Sequence, residues 1–433
     1  MESSAQRRIN LIRRHLLPPP CEFNDALNLA LTNGGSELQI GESEPVVIGG
    51  MVLDIHAIPS IAAVPRSTTP GKINYVLGGV ARNVAECMSK FGTKLFLISV
   101  VGHDMAGNLL LENWRLAGLS TEGIRKHQDV STAVVCGIVD VNGELAAAVA
   151  SVEAIEKFLT PDWIDRFKCN IRAAPMLMVD ANLNPLALEV SCRISAENNT
   201  PVWFEPVSVA KSRRIASVVK YITFASPNED ELIAMANALS GRDLFSPIKR
   251  DSSITTCSIE LLFQLLKSAV WVLLEKGIKI VILTVGSHGV FVCFKGGPSF
   301  MKFSSEGIKK NRSCSQLFRT INSSCPPNTF SVSPEKEKSS ALFAIHFPAL
   351  SASVVRLTGA GDCLVGGMLA SICAGLDIFQ STAIGIAASK AAVETENNVP
   401  HALHSAKIAD DAKSVYTAGR IVFHEPMYMS HLE

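Results

Sequence analysis

Short apolar runs alternate with helix-like segments along most of the chain. The first run, residues 46–48, ends at Gly49 and Gly50 and has the length expected of a buried strand. Residues 80–91 and 108–117 show a helical spacing of apolar positions. Further apolar runs occur at residues 94–101, 176–179, 202–204, 221–225 and 279–285. Alternation over this length predicts an α/β fold with a mainly parallel central sheet flanked by helices.

Residues 131–150 interrupt this alternation. Two β-prone segments flank Asn142 and Gly143, and an Asn-Gly pair in that position is typical of a β-hairpin. A hairpin inside an α/β chain is a candidate lid, and we assign residues 66–79 to the same small β lid. Residues 296–345 are rich in Ser, Lys, Asn and Pro without a clear period, which favours a surface insertion.

Residues 1–44 differ in composition from the domain that we assign to residues 45–425. They begin basic, pass through three consecutive prolines and become rich in Gly, Ser and Glu. We interpret them as a targeting presequence and linker. The segment from Arg8 to Leu16 resembles a type-2 peroxisomal signal, an address that a receptor reads. An ordinary basic amphipathic start, an organellar transit peptide and a cytoplasmic location are the alternatives.

The bulk composition acts mainly by exclusion. Of 433 residues, 47% are hydrophobic and 18% are charged, which is enough for a large buried core. Lys plus Arg and Asp plus Glu both number 40, so no charge excess favours nucleic acid or a membrane surface as partner. The 11 cysteines include no C-x-x-C pair, which argues against a disulfide framework or a zinc ribbon. A small-molecule substrate suits this composition.

The strongest local signal is a glycine-rich turn before a helix-like run, formed by Thr358, Gly359, Ala360, Gly361 and Asp362. Small residues let a backbone approach a ligand, and the first amides of a helix favour an anion. A carboxylate beside that anion can take a proton from an attacking hydroxyl group. An ordinary tight turn with an acidic cap explains the same residues. The turn matches neither the G-x-G-x-x-G pattern nor a P-loop.

Two more signals come earlier in the chain. Gly78 and Gly79 precede the predicted helix that carries Asn83, whose amide offers both a donor and an acceptor to a hydroxyl group. Asp54 follows the first strand, and ligands of such sheets bind beyond the carboxyl ends of strands. Its carboxylate can accept two hydrogen bonds from a diol. A plain glycine turn and a solvated loop aspartate are the alternatives.

Two pairs of candidate binding residues follow later apolar runs. Asn228 and Glu231 share a helix face and suit a hydrated magnesium ion, although an acidic helix start favoured by the helix dipole explains them equally well. Thr284 and Gly286 lie where an apolar run ends. They offer a hydroxyl group and open backbone to a nucleotide, or form a plain turn.

The order of these signals resembles the ribokinase-like (PfkB) carbohydrate kinase family over residues 46–400. In that order come segments similar to its sugar-binding strand, its glycine–asparagine signature, its magnesium motif, its nucleotide strand and its catalytic signature. Residues 101–107 are similar to its Val-Gly-x-Asp-x-x-Gly segment. Within the family, residues 79–86, 179–183 and 205–211 look most similar to pseudouridine kinases.

The resemblance implies an ATP-dependent kinase that phosphorylates the 5′-hydroxyl of pseudouridine, with Asp362 as the base. It implies that the amides of Gly359, Ala360 and Gly361 hold charge on the transferred phosphoryl group. The implied binding residues are Asp54, Gly78, Gly79 and Asn83 for the sugar, Thr284, Gly286 and Thr358 for the nucleotide, and Asn228 and Glu231 for Mg²⁺ through water.

The chain departs from the family pattern in three places. Arg356 stands where many members have an aspartate that helps to hold a monovalent cation, so potassium activation stays open. Glu205 replaces the more usual Asp or Asn before Pro206, and the insertion at 296–345 precedes the catalytic signature. Ribokinase, fructokinase or adenosine kinase activity, and a non-catalytic binding protein of the same fold, are the alternatives. A homodimer is also compatible with the sequence.

Overall fold

The computed structural model describes residues 43–62, 66–140, 145–248, 258–296, 316–327, 329–330 and 341–427. Its strands are β1 (Val46–Ile48), β2 (Val52–Pro59), β3 (Gly71–Gly78), β4 (Phe96–Gly102), β5 (Ile124–His127), β6 (Ala133–Val139), β7 (Leu145–Ser151), β8 (Leu177–Asp180), β9 (Val202–Glu205), β10 (Phe224–Ala225), β11 (Ile280–Thr284), β12 (Val290–Lys295), β13 (Ala341–Phe347) and β14 (Arg420–Pro426). Its helices are α1 (Val80–Lys90), α2 (Met105–Leu116), α3 (Glu153–Phe158), α4 (Pro161–Asp165), α5 (Lys168–Ala173), α6 (Pro185–Ala196), α7 (Val209–Ser212), α8 (Glu229–Ser240), α9 (Ile259–Glu275), α10 (Gln316–Ser324), α11 (Ala360–Cys373), α12 (Ile378–Val393) and α13 (Ser405–Ala418).

Ten of the described strands form a central sheet in the order β14-β13-β12-β11-β10-β9-β8-β1-β4-β5. Neighbouring strands from β11 to β5 run parallel, and β12, β13 and β14 add an antiparallel edge. The predicted α/β class with a mainly parallel sheet is confirmed. The run at residues 221–225 contributes only Phe224–Ala225, because Val219–Tyr221 forms a short 3₁₀ turn.

Helices cover both faces of the central sheet. In β1, Val47 belongs to one apolar cluster, whereas Val46 and Ile48 belong to the other. Trp203 and Phe204 of β9 divide in the same way and are fully buried. Successive residues of a strand point to opposite faces. A sheet covered on both sides therefore requires the continuous apolar runs seen in the sequence.

Four strands form a smaller sheet in the order β3-β2-β6-β7, which we call the lid sheet. β6 and β7 pair antiparallel, as the Asn-Gly pattern predicts, although Asn142 and Gly143 lie outside the described residues. β2 pairs antiparallel with β3 and parallel with β6. Asp54 lies within β2, so the alternative of a solvated loop aspartate is wrong.

Asp104 connects the central sheet to the lid sheet. Its carboxylate caps α2 by accepting from the Gly107 amide at 2.8 Å. It also accepts from the backbone N–H of Thr132 at 2.7 Å and from its hydroxyl group at 2.6 Å. Thr132 directly precedes β6, so one carboxylate fixes both the start of α2 and the start of the lid hairpin.

The prediction of a surface insertion over residues 296–345 is wrong at its C-terminal end. β13 lies between β12 and β14, and every residue of it is buried. Phe318 and Ile321 of α10 are also buried against the core. The remainder, at residues 297–315, 328 and 331–340, lies outside the described residues. The Gly296 amide donates to the Ala341 carbonyl at 2.7 Å, so the chain leaves the sheet and returns to it at adjacent positions.

No helix within the described ranges is long and apolar enough to cross a membrane. Free cysteines such as Cys192 and Cys293 are fully buried, as expected of small apolar side chains. Cys169 departs from this pattern because it is disulfide-bonded.

Candidate active site

The glycine-rich turn leads directly into α11, with Asp362 in the first helical turn. Gly359 has φ 88°, a left-handed conformation that favours glycine. A Cβ at Gly359 would lie 2.1 Å from the carbonyl oxygen of Asn398, so the turn could not pack as it does with a side chain there. A Cβ at Gly361, in contrast, would meet nothing within 4 Å.

The first amides of α11 are not equally available to an anion. The Ala360 amide donates to the Leu357 carbonyl at 3.2 Å, which occupies one of the three amides predicted to bind phosphate. Gly361 is exposed and lies in the first turn, where amides have no acceptor within the helix. Thr358, just before the turn, is exposed as well. The turn therefore presents free backbone donors chiefly through Gly361.

Asp362 has the acidity expected of a general base. Its Oδ2 accepts a 2.7 Å hydrogen bond from Nδ2 of Asn83. Burial raises the pKa of Asp362 to about 6, with upward contributions from Asp180 and Asp54 and opposing ones from Asn83 and Arg82. The carboxylate is thus mostly ionised at neutral pH and binds a proton far more readily than an exposed aspartate does.

Asn83 has both of its polar groups engaged within the protein. Its Nδ2 donates to Asp362, and its Oδ1 accepts from Nη1 of Arg82 at 2.7 Å. Arg82 also donates to the Leu77 carbonyl at 2.7 Å and forms an ion pair with Glu86. Asn83, which the sequence predicts to bind the sugar, therefore orients the base Asp362. The buried cation of Arg82 orients Asn83 in turn. Arg82 escaped notice in the sequence, where only the Glu86 four residues later hints at a buried pair.

Asp54 faces the same site from the lid sheet. Its Oδ2 accepts a 2.9 Å hydrogen bond from Nδ2 of Asn398. Burial raises the pKa of Asp54, whereas the bond from Asn398 and the charges of His56 and Arg356 lower it. The charge of Asp54 raises the pKa of Asp362, and both carboxylates act on Arg82, so the structure brings the two predicted carboxylates into one site.

Gly78 and Gly79 allow close approach of groups of the protein, whereas the sequence predicts close approach of a ligand. A Cβ at Gly78 would lie 2.3 Å from Oδ2 of Asp54, and one at Gly79 would lie 2.4 Å from the Gly50 carbonyl. Gly79 also has φ 96°. Gly78 therefore allows close packing against Asp54, and Gly79 allows close packing against the turn at Gly50.

Asp180, at the carboxyl end of β8, stabilises the packing of the segment at Gly50 against the start of α1. It is fully buried and accepts from the amides of Gly50 at 2.9 Å and Ala81 at 3.3 Å. The Ala81 contact caps α1, whose own N-cap residue, Gly79, has no side chain to do so. Burial raises the pKa of Asp180. Residues 179–183 stand out in the sequence only for their resemblance, and the role of Asp180 depends on partners 130 and 99 positions away in sequence, at Gly50 and in α1.

Asn228 and Glu231 form a capping box at the start of α8. The Glu231 amide donates to Oδ1 of Asn228 at 2.9 Å, and the Asn228 amide donates to Oε2 of Glu231 at 2.9 Å. The helix-start alternative therefore describes their contacts. Burial raises the pKa of Glu231, and burial, reinforced by Glu231 and Asp362, raises that of Glu205 well above its ordinary value. The charges of both the capping box and the base therefore act on Glu205.

The predicted nucleotide residues lie at the next strand end. Thr284 ends β11, and its amide donates to the Pro227 carbonyl at 3.0 Å, which bridges this strand to Asn228. Gly286 begins a 3₁₀ turn with φ 57°, and a Cβ there would meet nothing within 4 Å. The strand end therefore offers the open backbone that the sequence predicts.

Arg356 links the loop before the catalytic turn to the lid sheet. Its Nη1 donates to the Glu396 carbonyl at 2.8 Å, and its Nη2 contacts the His56 ring, 3.1 Å from Nε2. Burial and Arg356 lower the pKa of His56, which therefore stays neutral and can accept from the guanidinium group.

The chain is similar in sequence to two pseudouridine kinases. The chain is 49% identical over 385 residues to a pseudouridine kinase of Arabidopsis thaliana, covering 89% of this chain and all of that one. It is 28% identical to an Escherichia coli pseudouridine kinase, over 46% of this chain and 63% of that one.

The fold matches that of an Arabidopsis thaliana ribokinase solved with ribose and ATP. The TM-score is 0.63 at 17% identity, over 86% of this chain and 99% of that one. A Thermotoga maritima ribokinase gives a TM-score of 0.60 at 19% identity, with the same coverage. The family model described as pfkB family carbohydrate kinase matches residues 43–304. The chain belongs to the PfkB family of carbohydrate kinases.

Proposed function

We propose that this enzyme transfers the γ-phosphoryl group of ATP to the 5′-hydroxyl of pseudouridine, giving pseudouridine 5′-phosphate and ADP. The proposal depends above all on the position of Asp362, beside the open Gly361 and hydrogen-bonded to Asn83 of the sugar-binding signature. The 49% identity to a pseudouridine kinase supports this substrate.

In the proposed reaction the protein supplies position and charge. Asp362 accepts the proton of the 5′-hydroxyl while that oxygen attacks the γ-phosphorus, and the bond to the departing ADP oxygen breaks. The amides of Gly359 and Gly361 donate to the transferred group. Ala360 joins them by giving up its bond to Leu357.

Asp54 accepts hydrogen bonds from the ribose diol in this scheme. Gly78 and Gly79 let the lid strand end lie against it, and Asn83 contributes by directing Asp362 at the hydroxyl group. Thr284, Gly286 and Thr358 line the nucleotide side.

Asn228 and Glu231 are proposed to hold Mg²⁺ through water. Amide and carboxylate oxygens are ligands that this hard cation prefers. The described part of the chain has no group of three His, Cys, Asp or Glu side chains arranged for a metal ion, and Asn228 and Glu231 would hold the ion through its water ligands. Magnesium, when bound, neutralises phosphate charge.

Arg356 already places a fixed positive charge beside the catalytic turn, against the Glu396 carbonyl. This arrangement supports an enzyme that works without a monovalent cation. Equal rates in potassium and in tetramethylammonium chloride are the expected result.

A substrate panel tests the proposed function. The purified chain is given ATP, Mg²⁺ and one of pseudouridine, uridine, ribose, fructose or adenosine, and ADP release is measured. We expect the largest kcat/KM for pseudouridine. Preference for ribose, fructose or adenosine would support the corresponding alternative and overturn the proposed substrate.

The homodimer is proposed through the outer face of the lid sheet. Ile55 alternates with the site-facing Asp54 and His56 along β2, and it pairs across the sheet with Tyr75. Tyr75 is 55% exposed, and Ile73 beside it is 61% exposed. Two such apolar faces can pack against each other around a two-fold axis.

Light scattering tests this assembly. We expect the mass of two chains for the natural protein and of one chain for Tyr75→Glu, while Leu116→Glu, at another exposed apolar position, leaves the dimer intact. A single-chain mass for the natural protein would contradict it.

Peroxisomal targeting through Arg8 to Leu16 is proposed from the sequence alone, since these residues lie outside the described ones. A fluorescent reporter fused behind residues 1–40 should enter peroxisomes, and His15→Asp should abolish entry. Cytosolic or mitochondrial fluorescence of the unaltered fusion would rule the signal out.

A further inference from the structure

Asn398 lies in the segment after α12, far in sequence from the residues that it contacts. Its Nδ2 donates to Oδ2 of Asp54 at 2.9 Å and to the Leu77 carbonyl at 3.2 Å. Both partners are acceptors, so the amide can be oriented only with its nitrogen toward them. Asn398 therefore holds the sugar carboxylate and the end of β3 together.

The backbone of the same residue supports the catalytic turn. The Asn398 carbonyl lies so close to Gly359 that a Cβ there would stand 2.1 Å from it. That carbonyl also accepts from the thiol of Cys363, 3.6 Å away, directly after the base. One residue thus contacts Asp54 with its side chain and the start of α11 with its backbone.

The remaining polar atom of Asn398 is Oδ1, and its surroundings show that packing alone does not explain an asparagine at this position. The residue is 1% exposed, and its Oδ1 is buried without a hydrogen-bond partner among the described residues. An unpaired buried acceptor destabilises a fold. A leucine of similar size would avoid that unpaired atom but would lose both donors. The two N–H groups are therefore what asparagine contributes at this position.

The charges around Asp54 agree with this interpretation. Burial raises the pKa of Asp54, and the bond from Asn398 is the largest of the effects that lower it, ahead of His56, Arg356 and Arg82. Asn398 thereby favours the ionised carboxylate, the form that accepts hydrogen bonds from two hydroxyl groups.

We infer that Asn398 is a positioning residue, which holds Asp54 in the orientation that binds the sugar diol and keeps it in register with the turn at Gly359. This inference rests on the proposed role of Asp54 in binding the nucleoside. Asn398 itself acts through Asp54.

The test compares Asn398→Leu, Asn398→Ser and the neighbouring control Asn397→Leu. Asn397 bonds to His401 and not to the site. We expect Asn398→Leu to weaken pseudouridine binding, measured by calorimetry, about 10- to 100-fold, the usual effect of losing a hydrogen bond to a charged group. KM for ATP and the melting temperature should change little. Asn398→Ser retains a donor and should lose less affinity, and Asn397→Leu should bind normally.

A double-mutant cycle with Asp54→Asn identifies the route of the effect. If Asn398 acts through Asp54, then Asn398→Leu weakens binding much less in the Asp54→Asn background than in the natural one. Equal losses in both backgrounds, or normal affinity of a folded Asn398→Leu, would overturn the inference alone. Normal affinity of Asp54→Asn would instead remove the proposed role of Asp54, and this inference with it. Should Asn398→Leu fail to fold, Asn398→Ser carries the same cycle.

Discussion

On the sugar side of the site, Asp54 and Asn83 are already hydrogen-bonded to groups of the protein. On the phosphate side, Gly361 is exposed and has open space around it. The sugar side is preorganised, so a nucleoside meets acceptors whose orientation is already fixed. The phosphate side leaves backbone donors free, and the charge that they require arrives with the nucleotide. Asp362 lies where the two sides meet.

The largest expected effect is at that junction. Asp362→Asn keeps the size of the side chain but removes its basicity, so we expect kcat to fall at least about 10²-fold. Affinities for ATP and pseudouridine should change much less, because the loss belongs to the transition state. Steady-state kinetics and calorimetry measure the two parts. The exposed Asp410→Asn is the control for the same chemical change. Near-full turnover of Asp362→Asn would mean that the base is misassigned.

Two glycines of one turn test the contrast between packed and open space. Gly359→Ala places a Cβ against Asn398 and forces a left-handed φ on alanine, so we expect a loss of stability of at least about 2 kcal/mol together with activity. Gly361→Ala should fold normally, and weaker ATP binding there would show that phosphate occupies the open space. Chemical denaturation and ATP titration are the measurements. Equal stability of the two variants would contradict the packing described for the turn.

A substitution on the sugar side should mainly weaken binding of the nucleoside. Asp54→Asn removes a charged acceptor, so KM for pseudouridine should rise about 10- to 100-fold while kcat changes less. KM for ATP serves as the internal control. A larger loss in kcat than in nucleoside affinity would instead place Asp54 in the chemical step.

Acid should inactivate the enzyme by protonating Asp362. Because its pKa is raised to about 6, the ionised base predominates only above that pH. The rate should therefore fall about tenfold for each pH unit below about 6. A profile of kcat/KM against pH measures this for the free enzyme, and the residual activity of Asp362→Asn should lack that acid limb. A profile that stays flat down to about pH 4 would show that the carboxyl has an ordinary acidity.

The smallest expected effect has the opposite sign. A carboxyl whose folded-state pKa exceeds its unfolded value stabilises the fold at low pH, and this contribution disappears as pH rises through the folded pKa. Ionised Asp362 therefore costs stability at neutral pH, and Asp362→Asn should gain about 1–3 kcal/mol there. Denaturation at about pH 7 and about pH 4 should show this gain shrinking in acid. If Asp362→Asn were instead less stable than the natural protein at neutral pH, the surrounding groups would have to stabilise the ionised carboxylate.

Local pattern predicts the parts of this molecule that depend on local physics. Continuous apolar runs mark strands buried on both faces, and a small-residue turn before a helix marks Asp362. The polar composition of the preceding segment predicts an insertion that extends to residue 345. Residues 341–347 nevertheless read Ala-Leu-Phe-Ala-Ile-His-Phe, an apolar run of the same kind as those recognised elsewhere.

The supporting residues could not be predicted in this way. Asp180 and Asn398 act on partners that the fold alone brings near, and Asn398 is 344 positions from Asp54. Buried Arg82 has only a weak local sign in Glu86. The motif predicts a binding role for Asn83, but its bond to Asp362 depends on the packing of α1 against α11.

The bond between Gly296 and Ala341 has a consequence for the evolution of the chain. Segments that start and finish one hydrogen bond apart change the entropy of loop closure only slowly with length, by about 0.6 kcal/mol for each doubling. The strands on either side keep their pairing whatever length connects them. Changes of length between residues 297 and 315 therefore cost little loop-closure entropy, whereas loss of α10 would uncover the core against which Phe318 and Ile321 pack, and the catalytic turn downstream has no room for a methyl group at Gly359.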